Sequence, residues 1–229
     1  MAETRAQLRE AADSSWTPYD RDASGFDARY GSVSFAEVHR ELIPWLPRTR
    51  GAALDVGAGN GRDAVALHEL GFEVVAVEPA TSLRELARQR GGSDAVTWLD
   101  DCLPLLPLVR ARRQLFDLVL CSAVLIHVEP TQLVPAIATL GSLLAADGRL
   151  AATFRARASG EDSLLFHTHH RDAVLDAAGR AGLRLVACWQ TGDALGRKRQ
   201  WDGYVFGRAA EDGVARRSLS TADRSAHAA

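Results

Sequence analysis

Residues 54–63 read LDVGAGNGRD, and this stretch decides the fold of the chain. An apolar run ends in three glycines at alternate positions, Gly57, Gly59 and Gly61, and a helical pattern follows them. Glycine allows a tight turn and a close approach of the backbone to a ligand. The first turn of a helix offers unpaired N–H groups and the positive end of a dipole. This strand–loop–helix segment therefore predicts a site for a polar or anionic cofactor.

The spacing of the glycines and one carboxylate narrow the class of cofactor. The dinucleotide-binding fingerprint is G-x-G-x-x-G, which places a pyrophosphate on the helix N-terminus. Here the spacing is G-x-G-x-G, and Asp55 lies in the strand just before the loop. A carboxylate at this point would repel a pyrophosphate but could hold a cationic amino group. We therefore expect a cofactor that carries an ammonium or a sulfonium group.

Strands and helices alternate along most of the chain. Short apolar runs predict strands, and apolar residues at helical spacing predict helices. Their alternation implies a parallel sheet with helices on both faces, and the last two strands, which lack a helix between them, should pair antiparallel. The predicted strands are residues 52–56, 73–77, 95–99, 117–121, 148–154, 183–189 and 201–206, and the predicted helices are residues 34–46, 62–70, 82–90, 132–144 and 171–181.

The two ends of the chain lack this alternation of strands and helices. Residues 1–13 could form a short amphipathic helix, and residues 14–33, rich in Ser, Asp, Gly and Tyr, are predicted to be irregular. Ser34 followed by Glu37 is a capping-box pattern that should begin the helix at 34–46. Residues 208–229 have no periodicity and are predicted to be a frayed or disordered tail.

The composition excludes several other classes of protein. The chain has 229 residues, of which 47% are hydrophobic, and a formal net charge of -2, so it has no overall attraction to nucleic acid or to anionic membranes. Three separated cysteines without a CxxC pair argue against a disulfide framework and a zinc ribbon. No apolar run approaches a length of about 18 residues, and the N-terminus has no secretory apolar region. We therefore expect a cytoplasmic protein without a membrane span.

Five segments, taken in order, carry a family resemblance. They are LDVGAGNGRDA at 54–64, VVAVEP at 74–79, TWLDDCLP at 97–104, FDLVLCSAVLIHV at 116–128 and LGSLLAADGRLAATF at 140–154. Together they resemble the motifs of class I S-adenosylmethionine-dependent methyltransferases, over about residues 50–207.

The resemblance implies a fold and a division of the chain. The fold is α/β, a Rossmann-like seven-stranded sheet of order 3-2-1-4-5-7-6 with strand 7 antiparallel and helices on both faces. Residues 48–207 should form the domain that binds S-adenosylmethionine. Residues 1–47 should form an N-terminal helical lid, and residues 208–229 the tail.

The resemblance also implies which residues bind the nucleoside half of the cofactor. Glu78, which ends the second strand and is followed by Pro79, should accept hydrogen bonds from both ribose hydroxyls, since a carboxylate has two oxygens. Asp100 or Asp101 should accept a hydrogen bond from the adenine amine, beside the backbone of Cys102.

The methionine half is implied to lie on the glycine loop and next to the fourth strand. Arg62 could reach the carboxylate of the cofactor, or it could be a surface charge. Tyr30 and the predicted helix at 34–46 should cover the cofactor as a lid. The residues implied to lie near the methionine moiety or the methyl group are Asp55, Gly57, Ala58, Gly59, Cys121 and Ser122.

His127 is the candidate general base for the acceptor. It follows the fourth strand, on the edge of the sheet where ligands bind, and an imidazole titrates near neutral pH. A packing or hydrogen-bonding role is the alternative. The nearby segment FHTHHRD holds His167, His169 and His170, which could contact substrate or lie on the surface. No metal site is expected there, because the segment has no HExxH spacing and no nearby cysteine.

A basic tip, Arg197, Lys198 and Arg199, lies between the last two strands and is either a solvated turn or a site for an acidic substrate group. The predicted function is transfer of a methyl group from S-adenosylmethionine to the oxygen or nitrogen of a small molecule, with S-adenosylhomocysteine as the product. The alternatives are a methyltransferase for RNA or protein, a nicotinamide-dependent oxidoreductase, and a protein that binds the cofactor without catalysis. The oligomeric state is not predicted.

Overall fold

A single mixed sheet organises residues 15–209, the part of the chain that the computed structural model describes. The strand order is β3-β2-β1-β4-β5-β7-β6. Strand β7 pairs antiparallel with β5 and with β6, and the other pairs are parallel. The predicted order and directions are confirmed. The strands are β1 (Ala52–Val56), β2 (Glu73–Val77), β3 (Thr97–Leu99), β4 (Phe116–Cys121), β5 (Leu144–Phe154), β6 (Leu183–Gly192) and β7 (Gln200–Arg208).

Helices cover both faces of this sheet. The central strands are buried on both sides, so that Val75 and Val77 lie in one core cluster while Val74 and Ala76 lie in the other. This explains why these strands read as continuous apolar runs. The helices are α1 (Ala23–Tyr30), α2 (Phe35–Val38), α3 (Arg62–Glu69), α4 (Thr81–Gln89), α5 (Pro107–Ala111), α6 (Leu133–Ser142) and α7 (Arg171–Arg180).

The prediction of irregular structure for residues 14–33 is wrong. Residues 15–21 are helical and α1 follows them, with Asp22 Oδ1 accepting a hydrogen bond from the N–H of Gly25 at 3.2 Å. Buried Ala23 packs in a cluster with Ala80 and Leu83 of the α4 region. The segment is helical because it packs on the domain, which its own weak periodicity does not reveal. The helix predicted at residues 1–13 lies outside the described residues.

The helix predicted at 34–46 is much shorter than expected. The capping box is present, since the N–H of Glu37 donates to Ser34 Oγ and the N–H of Ser34 donates to Glu37 Oε2. The α-helix ends at Val38, and only a 3₁₀ turn at Ile43–Trp45 follows. Pro44 lies in that turn and has no N–H for a helical hydrogen bond. The apolar spacing alone therefore predicted too long a helix.

Other boundaries differ by a few residues. Strand β5 begins at Leu144, earlier than the predicted residue 148, and its pairing with β4 is irregular between Phe116 and Leu118. Helix α5 was not predicted because Pro104 precedes it and Pro107 begins it, although the first helical position tolerates proline. None of the helices between residues 15 and 209 has the length and apolar composition needed to cross a bilayer. The tail predicted at 208–229 begins too early, because Arg208 ends β7 and its guanidinium donates to the carbonyl of Leu144; the part of the tail beyond Ala209 lies outside the described residues.

Candidate active site

A cavity of about 1010 Å³ lies where β1, β2 and β4 end, at the carboxyl edge of the sheet. Pockets for drug-sized ligands span about 300–1,000 Å³, so this volume can hold a cofactor and an acceptor together. The predicted residues that line it are Tyr30, Gly57, Ala58, Gly59, Arg62, Glu78, Pro79, Asp101, Cys102, Ser122 and His127. The predicted residues outside its lining are Asp55, Asp100 and Cys121.

The glycine loop adopts a backbone that other residues would strain. Gly57, Gly59 and Gly61 have φ angles of 69°, 57° and 79°. A Cβ atom on Gly57 would overlap a γ-methyl group of Val124, and one on Gly61 would press against Trp98 at 3.1 Å. The N–H of Ala58 donates to the carbonyl of Val77, which ties the loop to the end of β2. The loop therefore presents its backbone to the cavity at a fixed position.

Glu78 is a buried carboxylate on the wall of this cavity. Its Oε2 accepts a hydrogen bond from the N–H of Gly59 at 2.8 Å, and its Oε1 accepts one from the N–H of Ala80 at 2.9 Å. The residue is 6% exposed. Burial raises the pKa of Glu78 to about 7, although the two backbone donors oppose this shift. Each carboxylate oxygen keeps capacity for a second donor from a ligand.

Asp55 lies behind the loop rather than on the cavity wall. It is buried, and its Oδ2 has no hydrogen-bond partner among residues 15–209. Burial, followed by the nearby charge of Asp63, raises the pKa of Asp55 well above its usual range. Cys121, at the end of β4, is fully buried, and burial likewise raises the pKa of its thiol. A thiol in this state is a poor nucleophile.

Arg62 belongs to a buried ion-pair group at the start of α3. Its guanidinium donates to both oxygens of Asp63, at 2.6 and 3.0 Å, and to the carbonyl of Tyr30 at 3.3 Å. Asp63 also contacts His39 Nε2 at 2.9 Å. Burial alone would raise the pKa of Asp63, but His39 and Arg62 together lower it far below its usual range. This group fixes the N-terminal segment to the glycine loop.

Replacing Asp63 with asparagine should lower the free energy of unfolding by about 3 kcal/mol, because breaking a buried ion pair leaves an uncompensated charge. The measurement is urea unfolding. Asp172→Asn is the matched control, since Asp172 also lies in the first turn of a helix but is exposed. Equal losses in the two variants would contradict a structural role for the buried group.

The segment after β3 holds the residues expected near adenine. Asp101 is buried, and its Oδ2 accepts hydrogen bonds from the N–H groups of Leu108 and Val109, at 2.7 and 3.0 Å, so it caps α5. Asp100 lies 3.6 Å from the guanidinium of Arg84. Of the two candidate acceptors for adenine, Asp101 is the one on the cavity wall.

His127 has hydrogen bonds at both ring nitrogens. Its Nδ1 lies 2.7 Å from the carbonyl oxygen of Leu165, and its Nε2 lies 3.0 Å from the hydroxyl of Tyr19. A carbonyl only accepts, so Nδ1 carries the proton and Nε2 accepts from Tyr19. Burial lowers the pKa of His127 to about 4. His127 is therefore a weak base whose accepting nitrogen is already used.

A closed series of side-chain contacts runs around the cavity wall, and we call it the contact ring. Its first part joins the N-terminal segment to the loop after β4. Tyr30 packs on Phe26 with ring centroids 4.3 Å apart, and Phe26 meets Tyr19 edge to face at 5.1 Å. Tyr19 then contacts His127.

The second part of the contact ring crosses the end of β5. His127 packs on Phe166 at 4.8 Å, and the guanidinium of Arg155 lies over the rings of Phe166 and Trp201, at 4.9 and 5.7 Å. Arg155 is 5% exposed and pairs with both oxygens of Glu161, at 2.6 and 2.9 Å.

The third part lies in the β6–β7 hairpin and closes the contact ring. Trp201 Nε1 donates to Asp193 at 3.1 Å, and Asp193 pairs with Arg197 at 2.7 Å. Arg197 donates to the hydroxyl of Tyr30 at 3.2 Å and lies over its ring. The contact ring thus joins four separate segments around the part of the cavity that the glycine loop does not form.

The three histidines of the FHTHHRD segment have different surroundings in the structure. His169 Nε2 lies 3.0 Å from the carbonyl oxygens of Leu125 and Val128, so its role is to hold two loops together. His167 lines the cavity, and its Nε2 is buried without a partner among the described residues. His170 is exposed. Between residues 15 and 209, no three His, Cys, Asp or Glu side chains are grouped as metal ligands.

The sequence did not single out Arg155, Glu161 or Asp193. Arg155 directly follows β5 at the carboxyl edge of the sheet, as Glu78 directly follows β2, and this position is a signal that the sequence offers. Glu161 and Asp193 lie in loops and have no such signal.

The fold and the site define a class of protein. The order 3-2-1-4-5-7-6, with an antiparallel β7, differs from the order 3-2-1-4-5-6 of dinucleotide-binding domains. Residues 53–148 match a sequence-family model described as a methyltransferase domain. They therefore form a methyltransferase domain, and the strand order is the one expected of class I S-adenosylmethionine-dependent methyltransferases.

One curated relative is an uncharacterized methyltransferase from Staphylococcus carnosus strain TM300. It is 29% identical over 138 residues, which cover 59% of this chain and 62% of the relative. The match thus spans less than two thirds of the relative's length.

Two solved structures share the fold. Magnesium protoporphyrin IX methyltransferase from Synechocystis PCC 6803, with bound S-adenosylhomocysteine, has a TM-score of 0.65 and 20% identity, covering 84% of this chain and 97% of that one. The glycopeptide N-methyltransferase MtfA, complexed with S-adenosylmethionine, has a TM-score of 0.60 and 17% identity, covering 76% and 95%.

The chemistry of the site fits S-adenosylmethionine, the methyl donor of this family. Glu78 offers acceptor oxygens on the cavity wall, and the buried Oδ2 of Asp55 behind the glycine loop has no hydrogen-bond partner among the described residues. The first feature suits the hydroxyl donors of a ribose, and a cationic group of a ligand near the second would favour the ionised form of Asp55.

Proposed function

We propose that this protein transfers a methyl group from S-adenosylmethionine to the oxygen or nitrogen of a small-molecule acceptor. The observation that carries the proposal is the buried Glu78 carboxylate beside the glycine loop, on the wall of a cavity of about 1010 Å³. When bound, the cofactor supplies an electrophilic methyl group on a good leaving group. The residues of this chain then have to bind and orient the cofactor and the acceptor, and they have to exclude water.

The cofactor-binding roles follow from the positions of the residues. Glu78 would accept hydrogen bonds from the ribose hydroxyls, and the backbone of the glycine loop would hold the methionine end, near Ser122. Arg62 has N–H groups beyond those used by Asp63 and Tyr30, so it could also hold the carboxylate of the cofactor. Asp101 and Cys102 would border the adenine. Asp55, from behind the loop, would ionise as a cationic group of the cofactor approaches, because a nearby positive charge favours the carboxylate.

A small-molecule acceptor is favoured because the N-terminal segment and the β6–β7 hairpin meet across the cavity. The contact of Tyr30 with Arg197 joins them, and the contact of Tyr19 with His127 joins the N-terminal segment to the loop after β4. An RNA or protein acceptor would need these contacts to part. We therefore propose that residues up to 47 act as a lid over the cofactor and the acceptor.

The test uses S-adenosylmethionine with a deuterated methyl group, incubated with the protein and with separated cell fractions. We expect the label in small molecules of the metabolite fraction. Label in RNA or protein alone would instead support the macromolecular alternative. Absence of label from every fraction, while the cofactor binds, would favour a protein that binds the cofactor without catalysis.

The affinity for S-adenosylmethionine should depend on the protonation of Glu78. Below its raised pKa of about 7 the free carboxyl is protonated and loses acceptor capacity, so affinity should rise with pH through 7. Between pH 6 and pH 8 the ionised fraction changes about tenfold. Calorimetry of the wild type and of Glu78→Gln measures this. The rise of affinity with pH should be shallower in Glu78→Gln than in the wild type. An equal rise in both proteins would contradict the proposed role of Glu78.

His127 remains a candidate base only if the acceptor displaces the hydroxyl of Tyr19. Its paired nitrogens and its pKa of about 4 favour a positioning role instead, in which it holds the lid through Tyr19. His127→Ala should then speed amide hydrogen exchange in residues 15–30 by about tenfold, because one buried hydrogen bond is lost. His170→Ala is the control, as His170 is exposed. Unchanged exchange in His127→Ala would contradict the positioning role.

A further inference from the structure

The acidic and basic groups around the contact ring do not balance. The guanidinium groups of Arg155, Arg197 and Arg199 line the cavity and are paired with only two carboxylates, those of Glu161 and Asp193. Arg155 and Arg199 share Glu161, which lies 2.6 and 2.7 Å from them. This group of five side chains therefore carries one positive charge in excess.

Arg199 is the member of this group with the most N–H donors left unused. Arg155 is buried between two aromatic rings and uses both terminal nitrogens on Glu161, while Arg197 is held by Asp193 and Tyr30. Arg199 donates from one terminal nitrogen to Glu161, and its side chain is 25% exposed. A guanidinium has five N–H donors in a planar fork, which suits a second carboxylate.

Aromatic side chains line the cavity that Arg199 also lines. Trp16, Tyr19, Phe166 and Trp201 all line the same cavity. Aromatic side chains prefer offset or edge-to-face contacts with other aromatic rings, and they contribute large apolar contact areas. A flat aromatic ligand would match these walls better than a flexible polar one.

We propose that the methyl acceptor is a planar aromatic carboxylate that binds inside the contact ring, with its carboxylate on Arg199. This inference rests on the proposed function and names the substrate class of the same site. Arg199 is a specificity residue in this account, since it supplies the charge that neutralises the acceptor. Lys198, the adjacent residue, is exposed and lies outside the lining of the cavity, so it has no such role.

The experiment measures binding of matched probes by calorimetry to protein saturated with S-adenosylhomocysteine. The probes are a hydroxynaphthoate, the corresponding neutral hydroxynaphthamide and a naphthylmethylammonium. We expect the carboxylate to bind at least about tenfold tighter than the amide, as for a charge-assisted hydrogen bond, and the ammonium to bind weakest. Arg199→Gln should abolish the preference for the carboxylate, and Lys198→Gln should keep it.

Each other outcome overturns a distinct statement. Equal or tighter binding of the amide or the ammonium, or no binding of any probe, overturns the proposed acceptor class. An unchanged carboxylate preference in Arg199→Gln overturns the assignment of this residue. Melting temperatures and affinities for S-adenosylhomocysteine equal to those of the wild type are the controls that the fold and the cofactor site persist in both variants. Failure of the wild type to bind S-adenosylhomocysteine would instead overturn the proposed function.

Discussion

Glu78→Ala should weaken binding of S-adenosylmethionine by roughly 30–100-fold. The proposed ribose contacts are two hydrogen bonds to a charged group, whose loss costs about 2–3 kcal/mol. The carboxylate also holds the N–H of Gly59 in the glycine loop and the N–H of Ala80 before α4, so alanine leaves both donors without this acceptor. Calorimetry measures the change in affinity.

Glu73→Gln is the matched control for this prediction. Glu73 lies at the other end of the same strand, where it is exposed, so its loss of charge should leave the affinity unchanged. An affinity in Glu78→Ala within about twofold of the wild type would contradict the ribose assignment, because this is below the contribution of one hydrogen bond.

Gly57→Ala should lower the free energy of unfolding by about 3 kcal/mol and abolish measurable cofactor binding. Its φ of 69° disfavours any side chain, at a cost of about 1–2 kcal/mol. The added Cβ would also overlap Val124, so the loop or the segment after β4 would have to move. Overpacking of this kind costs about 1–3 kcal/mol. Urea unfolding and calorimetry measure the two effects.

Two further variants separate backbone strain from steric overlap. Gly182 has a φ of 68° but open space where its Cβ would lie, so Gly182→Ala should show only the backbone cost and bind the cofactor normally. Adding Val124→Ala to Gly57→Ala removes the overlapping methyl groups and should restore part of the cofactor affinity. Equal destabilisation in Gly57→Ala and Gly182→Ala would show that the overlap has no cost.

The sheet and its glycine loop could be predicted because local patterns determine them. Residues 73–77 are apolar throughout because they are buried on both faces, and three glycines are needed where φ is positive. The family resemblance then gave the strand order, which periodicity alone does not contain. Glu78 was predicted from the family resemblance of VVAVEP, in which it ends the second strand, and the structure places it on the cavity wall.

The N-terminal helices and the contact ring could not be predicted because they depend on tertiary contacts. Residues 15–30 have few apolar residues at helical spacing and are stabilised by packing on the α4 region. The contact of Tyr30 with Arg197 joins residues separated by 167 positions, and that of Tyr19 with His127 joins residues separated by 108. Likewise, the hydrogen bonds of His127, which argue against a role as base, come from distant segments.

Titration calorimetry with S-adenosylmethionine, S-adenosylhomocysteine and NADH tests the central claim most directly. The account predicts that the first two bind with micromolar affinity and one ligand per chain, and that NADH does not bind, because the G-x-G-x-G loop lacks the glycine spacing that places a pyrophosphate on the helix N-terminus. Binding of NADH alone, or no binding of either methionine-derived ligand to folded protein, would contradict the account.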